Sequence, residues 1–325
     1  MALRCCFRCV YGIYNSRIGR WFHNCMIKNR HERRIRSKLG IEHSRVDKEV
    51  LDFSSFKVKI VPLGRTNYSY FIQDTSTGYL GVVDPGDPDY LSSVADKFFK
   101  KPISVVLLTH KHWDHSAGIL KLSKVYPGLQ VYASKEEPAF EVTHTVSDNE
   151  IIHLGQTHIR TINTPVHTKG SVCFFIESDR AQPVVFTGDT FFLGGMGAFF
   201  EGDIKSACAS VSKLISLPNE TLMFPGHEYS DTTMKFALYL QPQNEAVKRK
   251  VSWIVKRRAR YMVTIPSTIK EEKSYNPFFR IYDPNFITMI GARFYLEAIA
   301  KIQEMRMRKR NEYRNLELKI YPRID

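Results

Sequence analysis

From Phe56 onward, short apolar runs alternate with turn residues, the pattern expected of strands in an α/β body. Residues 58–62, 70–72, 79–83, 103–109, 131–133, 159–162, 172–176 and 184–187 each read as a strand. Pro/Gly punctuation follows several of them, most densely at Asp84-Pro85-Gly86-Asp87-Pro88. Helical stretches fall between strands at 117–125 and 206–217. Beyond residue 232 the strand signals stop. Ala246, Val247, Val251, Ile254 and Val255 recur at helical spacing, with Lys248, Arg249, Lys256, Arg257 and Arg260 off that stripe. A second long helix is expected over 293–310. The pattern predicts an α/β body over 55–232 and a helical C-terminal domain over 233–325.

The start of the chain is different. Its first 40 residues hold ten Lys/Arg and one acid, Glu32, with Tyr11, Tyr14, Trp21, Phe22 and other apolar side chains interleaved. Their longest uncharged stretch, 9–16, falls far short of the ~20 apolar residues that a membrane span needs. Residues 1–50 are therefore expected to form a basic amphipathic segment. It reads as a cleavable mitochondrial presequence, a peripheral membrane anchor with acylated cysteines, or a plain basic tail. The first two readings imply an intracellular protein in mitochondria or at a membrane.

Composition fits a globular core: 43% of residues are hydrophobic and 25% charged, and 325 residues leave room for two domains. The net charge of +14 is unevenly placed. Residues 1–50 carry +8, 51–235 carry −4 and 236–325 carry +10. An acidic middle segment disfavours a nucleic-acid-cleaving site, which needs cations to meet phosphates, and no nucleic-acid partner is expected. Six cysteines, four of them before residue 26, suggest neither a disulfide framework nor a thiolate zinc site.

The chemistry concentrates in Thr109-His110-Lys111-His112-Trp113-Asp114-His115, which follows a buried-strand pattern. Residues two apart in extended backbone point the same way, so His110 and His112 can converge on one ion. A turn then lets Asp114 and His115 reach a second ion. Imidazoles with a carboxylate suit a borderline cation such as Zn²⁺. Further candidates are His167, Asp189 and His227, each in a tight Pro/Gly turn after a strand-like run. Asp189 is cast as a bridge, because a carboxylate has two oxygens for two cations. His144, His153 and His158 lack such context, as do His23, His31 and His43.

Taken together, THKHWDH (109–115), TPVHTKGSV (164–172), FTGDTFF (186–192), GGMGAFFEGD (194–203), FPGHEY (224–229) and PSTIKEEKSYNPFFR (266–280) resemble one family. It is the glyoxalase II, or hydroxyacylglutathione hydrolase, branch of the metallo-β-lactamase superfamily. The resemblance implies an αββα sandwich with an added C-terminal helical domain for substrate binding. It implies two divalent ions per chain, zinc first, with iron or manganese as alternatives. One would be held by His110, His112 and His167, the other by Asp114, His115 and His227, with Asp189 between them. Asp114 and Asp189 would be the catalytic carboxylates, and Tyr229, Asn276 and Arg280 would meet a glutathione thioester substrate. Hydrolysis would proceed by attack of metal-bound hydroxide. A thioester suits such a site because a thiolate of pKa about 8.5 leaves without a strong general acid.

The chain departs from the family around the glutathione position. Ala198-Phe199-Phe200 stands where relatives carry a basic residue followed by Phe-Tyr, and Asp283 stands where a basic residue is usual. Val166 and Met196 also replace a usual small residue and a usual Cys. The alternatives are a membrane-associated binding or scaffolding protein and a persulfide dioxygenase-like oxidoreductase. Oligomeric state is not legible in the sequence.

Overall fold

A computed structural model describes residues 50–137, 139, 141–178 and 181–308. The targeting or membrane segment expected over 1–50 lies outside these residues, apart from Val50. Among the described residues, no helix is long and apolar enough to cross a membrane.

The first sheet contains β1 (Leu51–Asp52), β2 (Phe56–Leu63), β3 (Asn67–Asp74), β4 (Leu80–Val83), β5 (Ile103–Leu107), β6 (Gln130–Ser134) and β7 (His144–Val146), in that order. Its first half pairs antiparallel, and β4 through β7 run parallel. The second sheet holds β8 (Ile151–Leu154), β9 (Thr157–Asn163), β10 (Val172–Ser178), β11 (Ala181–Gly188), β14 (Leu222–Pro225) and β15 (Ser267–Thr268), with spatial order β15-β14-β11-β10-β9-β8. A short hairpin, β12 (Phe191–Phe192) with β13 (Gly195–Met196), projects after β11.

Side-chain alternation divides each central strand between two cores. On β5, Val105 and Leu107 face the second sheet, where they join Tyr70, Phe174, Phe186 and Phe224 in the inter-sheet core. Val106 and Leu108 point the other way, towards helices α1 (Pro88–Val94), α2 (Trp113–Ser116) and α3 (Ile119–Val125), where Leu91, Ile119 and Leu122 complete an outer layer. On β10 and β11, Phe175 and Val185 turn outward and pack on α4 (Ile204–Ile215) through Ala207, Val211 and Leu214. The result is the αββα sandwich. Each fully buried Phe contributes about 1.5–3 kcal/mol through removal of its ring from water.

The C-terminal part comprises α5 (Ser230–Leu240), α6 (Glu245–Arg258), α7 (Ile269–Tyr275), a 3₁₀ turn (Phe279–Tyr282), α8 (Pro284–Met289) and α9 (Tyr295–Arg308). Val247, Val251, Ile254 and Val255 of α6 are buried, as their spacing predicts. Two features differ from the sequence pattern. The expected division at 232/233 falls inside α5, and Ile299 and Ile302 of α9 share one core with Phe175 and Val185. A strand also exists beyond 232: Ser267–Thr268 adds to the sheet edge beside β14. Two residues held by a neighbour's ladder leave no periodic signal of their own. β7 and β8 were missed for the same kind of reason, being three and four residues long with polar positions.

Candidate metal centre

The chemistry-bearing residues lie on loops that leave the C-terminal ends of β4, β5, β9, β11 and β14, all along one edge of the sandwich. Parallel pairing of β11 with β14 matches Gly188 to Pro225, so Asp189 and His227 emerge side by side. Close approach there requires a glycine. A side chain at Gly226 would place its Cβ 2.4 Å from Asp189 Oδ1 and 2.8 Å from His115.

The seven sequence candidates come together as two groups, His110, His112, His167 and Asp189, and Asp114, His115 and His227, which a third group of Asp84, His110 and His115 links. His112 Nδ1 lies 3.0 Å from His167 Nε2, and His115 Nε2 lies 3.2 Å from His227 Nε2. Asp189 sits between them, 3.4 Å from His167 Nε2 and 3.3 Å from His227 Nε2. Asp114 Oδ2 is 3.5 Å from His227 Nε2. His110 Nε2 and Asp189 Oδ1 are buried and have no hydrogen-bond partner. Such atoms are costly to leave bare, and a divalent cation would satisfy both. The donor set therefore fits a divalent metal site.

The far sides of the His110, His115, His167 and His227 imidazoles are held by the protein. Asp84 Oδ2 lies 3.0 Å from His115 Nδ1, Thr109 Oγ1 2.9 Å from His110 Nδ1, and Thr66 Oγ1 3.1 Å from His227 Nδ1. The Ala198 carbonyl accepts from His167 Nδ1 at 3.0 Å. These contacts direct the opposite nitrogen lone pairs into the cluster. Asn67 Nδ2 donates to Asp114 Oδ2 at 3.0 Å. Further out, Glu137 accepts from the backbone of Lys111 and Gly170, and Glu201 pairs with Lys111 and accepts from Lys169 N. Two acids, the buried Glu137 and the half-buried Glu201, thus tie the 110–115 loop to the 167–170 loop.

Sequence reasoning missed this supporting layer. Asp84 reads there as turn punctuation, yet its Oδ1 accepts from Thr109 N at 2.8 Å and its Oδ2 from Thr109 Oγ1 at 2.7 Å. The one available signal was an acid at the end of a strand that neighbours the histidine-bearing strand.

Electrostatics in the metal-free cluster are opposed in sign. Burial holds His110 well below its usual range and brings His112 down to about 3, with the neighbouring imidazoles adding to both. Burial also works against a charged His115, but Asp189, Asp114 and Asp84 outweigh it and push that imidazole up to about 10. Burial opposes ionisation of Asp189 and Asp114 too, and the surrounding histidines overcome it, so both carboxyls lie below their usual value. The carboxylates thus favour positive charge beside His115, while His110 and His112 stay neutral with their lone pairs available.

Tyr229 stacks on His227 with ring centroids 4.6 Å apart and planes 4° apart, and its ring remains partly exposed. Asn276 is fully buried, donating to Gly195 O and Glu272 Oε2 and accepting from Phe278 N. Arg280 donates to Asp283 and Gln241. Both side chains make their hydrogen bonds inside the protein, and of the three only Tyr229 touches the cluster. Phe200 lies against His167, with ring centroids 5.0 Å apart. His144 stacks on Tyr132, and His153 packs edge-on against His158; neither pair belongs to a metal-spaced group.

The comparisons agree with this architecture. The metallo-beta-lactamase superfamily model matches residues 63–227, and the model for the hydroxyacylglutathione hydrolase C-terminus matches 228–311. A cytoplasmic hydroxyacylglutathione hydrolase of Arabidopsis thaliana is 36% identical over 250 residues, covering 76% of this chain and 96% of the relative. A hydroxyacylglutathione hydrolase-like protein of Gallus gallus is 36% identical over 258 residues, covering 78% and 90%. Among solved structures, a metallo-beta-lactamase of Staphylococcus aureus subsp. aureus COL superposes with TM-score 0.53 at 22% identity, covering 78% of this chain and 72% of that one. The B3 metallo-beta-lactamase BLEG-1 gives TM-score 0.51 at 21% identity, with coverage of 68% and 99%. These two likenesses concern the fold. With the sandwich, the donor cluster and both family models in register along one chain, this protein belongs to the hydroxyacylglutathione hydrolase family of the metallo-β-lactamase superfamily.

Proposed function

We propose that the chain hydrolyses S-acylglutathione thioesters, S-lactoylglutathione among them, at a site for two divalent ions. The observation that carries this reading is Asp189, a buried carboxylate about equally close to His167 and His227, with one oxygen unpartnered. His110, His112 and His167 would hold one ion, Asp114, His115 and His227 the other, with Asp189 shared. Five imidazoles and two carboxylates favour zinc, and iron or manganese accept the same donors. Bound there, a pair of divalent ions would bring the pKa of water towards neutrality and polarise a carbonyl.

The protein's own groups do the rest. Asp84, Thr109, Thr66 and the Ala198 carbonyl fix the imidazole orientations before substrate arrives, so no reorganisation is needed during reaction. Asp114 and Asp189, ionised at neutral pH, balance the cations and can accept a hydrogen bond from the attacking water. Tyr229, whose phenol is held protonated by burial, is the proposed substrate contact. Asn276 and Arg280 are proposed to fix the C-terminal segment around it, through Gly195 and Gln241. A leaving thiolate of pKa about 8.5 needs no dedicated acid, which suits a site whose carboxyls are ionised. Residues 55–232 would then supply catalysis and 233–325 the substrate-binding wall, with residues 1–50 as a targeting or membrane-associating segment.

Metal content and S-lactoylglutathione cleavage, measured on one purified sample, test the proposal. Two ions per chain with metal-dependent cleavage are expected. Two ions with no turnover of any glutathione thioester would overturn the substrate and favour a binding role.

A further inference from the structure

We propose that Arg306, on the C-terminal helix α9, is a positioning residue for the half of the metal site that contains His167. The inference rests on the two-metal reading above.

Arg306 extends its guanidinium to two consecutive carbonyls of the loop after β13, donating through Nη1 to Met196 O and through Nη2 to Gly197 O at 3.1 Å. Its charge lies over the Phe278 ring, 5.5 Å from the centroid, so the fork is oriented by a buried aromatic. A planar guanidinium suits two adjacent acceptors in a way that an ammonium does not. The loop it grips leads straight into the cluster. The residue after Gly197 is Ala198, whose carbonyl orients His167 through Nδ1. Gly197 N donates to Thr190 O at 3.0 Å, directly after Asp189.

The loop has no slack on its other side. A Cβ at Gly197 would lie 1.9 Å from Asp189 O and 3.2 Å from His167 Nδ1. Gly197 is therefore wedged between two proposed metal donors and the arginine fork. Released from the fork, the loop can move only by shifting the Ala198 carbonyl, and His167 turns with it. His115 and His227 are oriented by Asp84 and Thr66 instead, so their half of the site should be spared. On this reading the C-terminal domain acts on the metal centre as well as on the substrate wall.

The test uses full-length protein loaded with Zn²⁺, comparing wild type, Arg306→Met, Arg306→Lys and Lys301→Met. Arg306→Met keeps the apolar stem over Phe278 and removes both donors. Lys301 sits on the same helix and donates to Gly291 O, away from the cluster. Arg306→Met should release one of its two ions to a chelator with affinity lowered about tenfold, the low end of what supporting contacts contribute. Arg306→Lys should recover part of that affinity, and Lys301→Met should match wild type. Metal-free forms should unfold at similar temperatures. Added to His112→Ala, which already disables that half, Arg306→Met should cost the remaining ion nothing further. Two ions lost together, or wild-type retention in Arg306→Met, would overturn the inference while leaving the two-metal reading intact. Wild-type protein holding fewer than two ions would overturn both. If Arg306→Met does not fold, Arg306→Lys carries the same comparison: one ion weakened supports the inference, and none weakened refutes it.

Discussion

Asp84→Asn should damage the metal centre more than its near-identical shape suggests. Asp84 Oδ1 accepts from Thr109 N at 2.8 Å, and a backbone N–H cannot be turned around, so the amide oxygen must remain at that position. The amide nitrogen then occupies the Oδ2 position, facing Thr109 Oγ1 at 2.7 Å and His115 Nδ1 at 3.0 Å. Two donors now meet at His115 unless the imidazole moves its proton to Nε2, the nitrogen that points into the cluster. An Nε2–H cannot be a metal ligand. Thr109 loses its acceptor as well, and its hydroxyl can donate to His110 Nδ1 instead, with the same consequence there. Supporting contacts of this kind contribute about 10–100-fold in metal affinity, or roughly 1.4–2.8 kcal/mol. Asp84→Ala imposes no tautomer, so it should keep its ions better than Asp84→Asn. It should nevertheless be the less stable protein, by about 1–3 kcal/mol for each orphaned buried donor. Chelator competition ranks metal affinity and thermal unfolding of the metal-free proteins ranks stability. Wild-type metal affinity in Asp84→Asn, or the same rank order in both assays, would refute the reasoning.

Asp189→Ala should strip both ions, while His112→Ala should weaken mainly one; full metal content in Asp189→Ala by elemental analysis would contradict the shared carboxylate. Loading metal-free protein at neutral pH should release about one proton, because a cation must displace the one that the three aspartates hold on His115 at pH values up to about 10. The sign follows directly: acid restores that proton and expels the metal, so affinity should rise with pH up to about 10 and fall as pH is lowered, and calorimetry in buffers of different ionisation enthalpy would show it. Ala198→Lys combined with Phe200→Tyr should raise kcat/KM for S-lactoylglutathione about tenfold or more. A charge-assisted contact to the anionic peptide contributes about 1.5–3 kcal/mol, and the gain should appear in KM; no gain would mean that another cation, such as the exposed Lys169, already serves. Residues 1–40 fused to a reporter should direct it to mitochondria or a membrane, and a diffuse reporter would leave only a basic tail.

The sequence by itself determined the donor residues of the cluster and much of the fold. His110, His112, Asp114 and His115 fall within six residues, so local backbone geometry alone restricts where their donors can point. Runs such as 105–108 and 184–186 are apolar at every position because both faces are buried, and that pattern cannot be confused with a solvated strand. His167, Asp189 and His227 were legible through their shared setting after strand-like runs.

What only the tertiary structure decided is the layer that acts across the chain. Asp84 meets His115 because β4 and β5 pair in parallel, Thr66 meets His227 across 161 residues, and Ala198 serves through a carbonyl that every residue type possesses. Backbone acceptors leave no mark in a sequence, and a lone aspartate in a Pro/Gly turn looks like any turn residue. The Asn276 and Arg280 motif shows the same limit from the other side: residue types suited to gripping a substrate are here engaged by Glu272, Asp283 and Gln241. Donor types are written in the sequence, but the partner each one takes depends on which strands and helices pack beside it, and pairing over long sequence separations is decided by the burial of the whole sandwich.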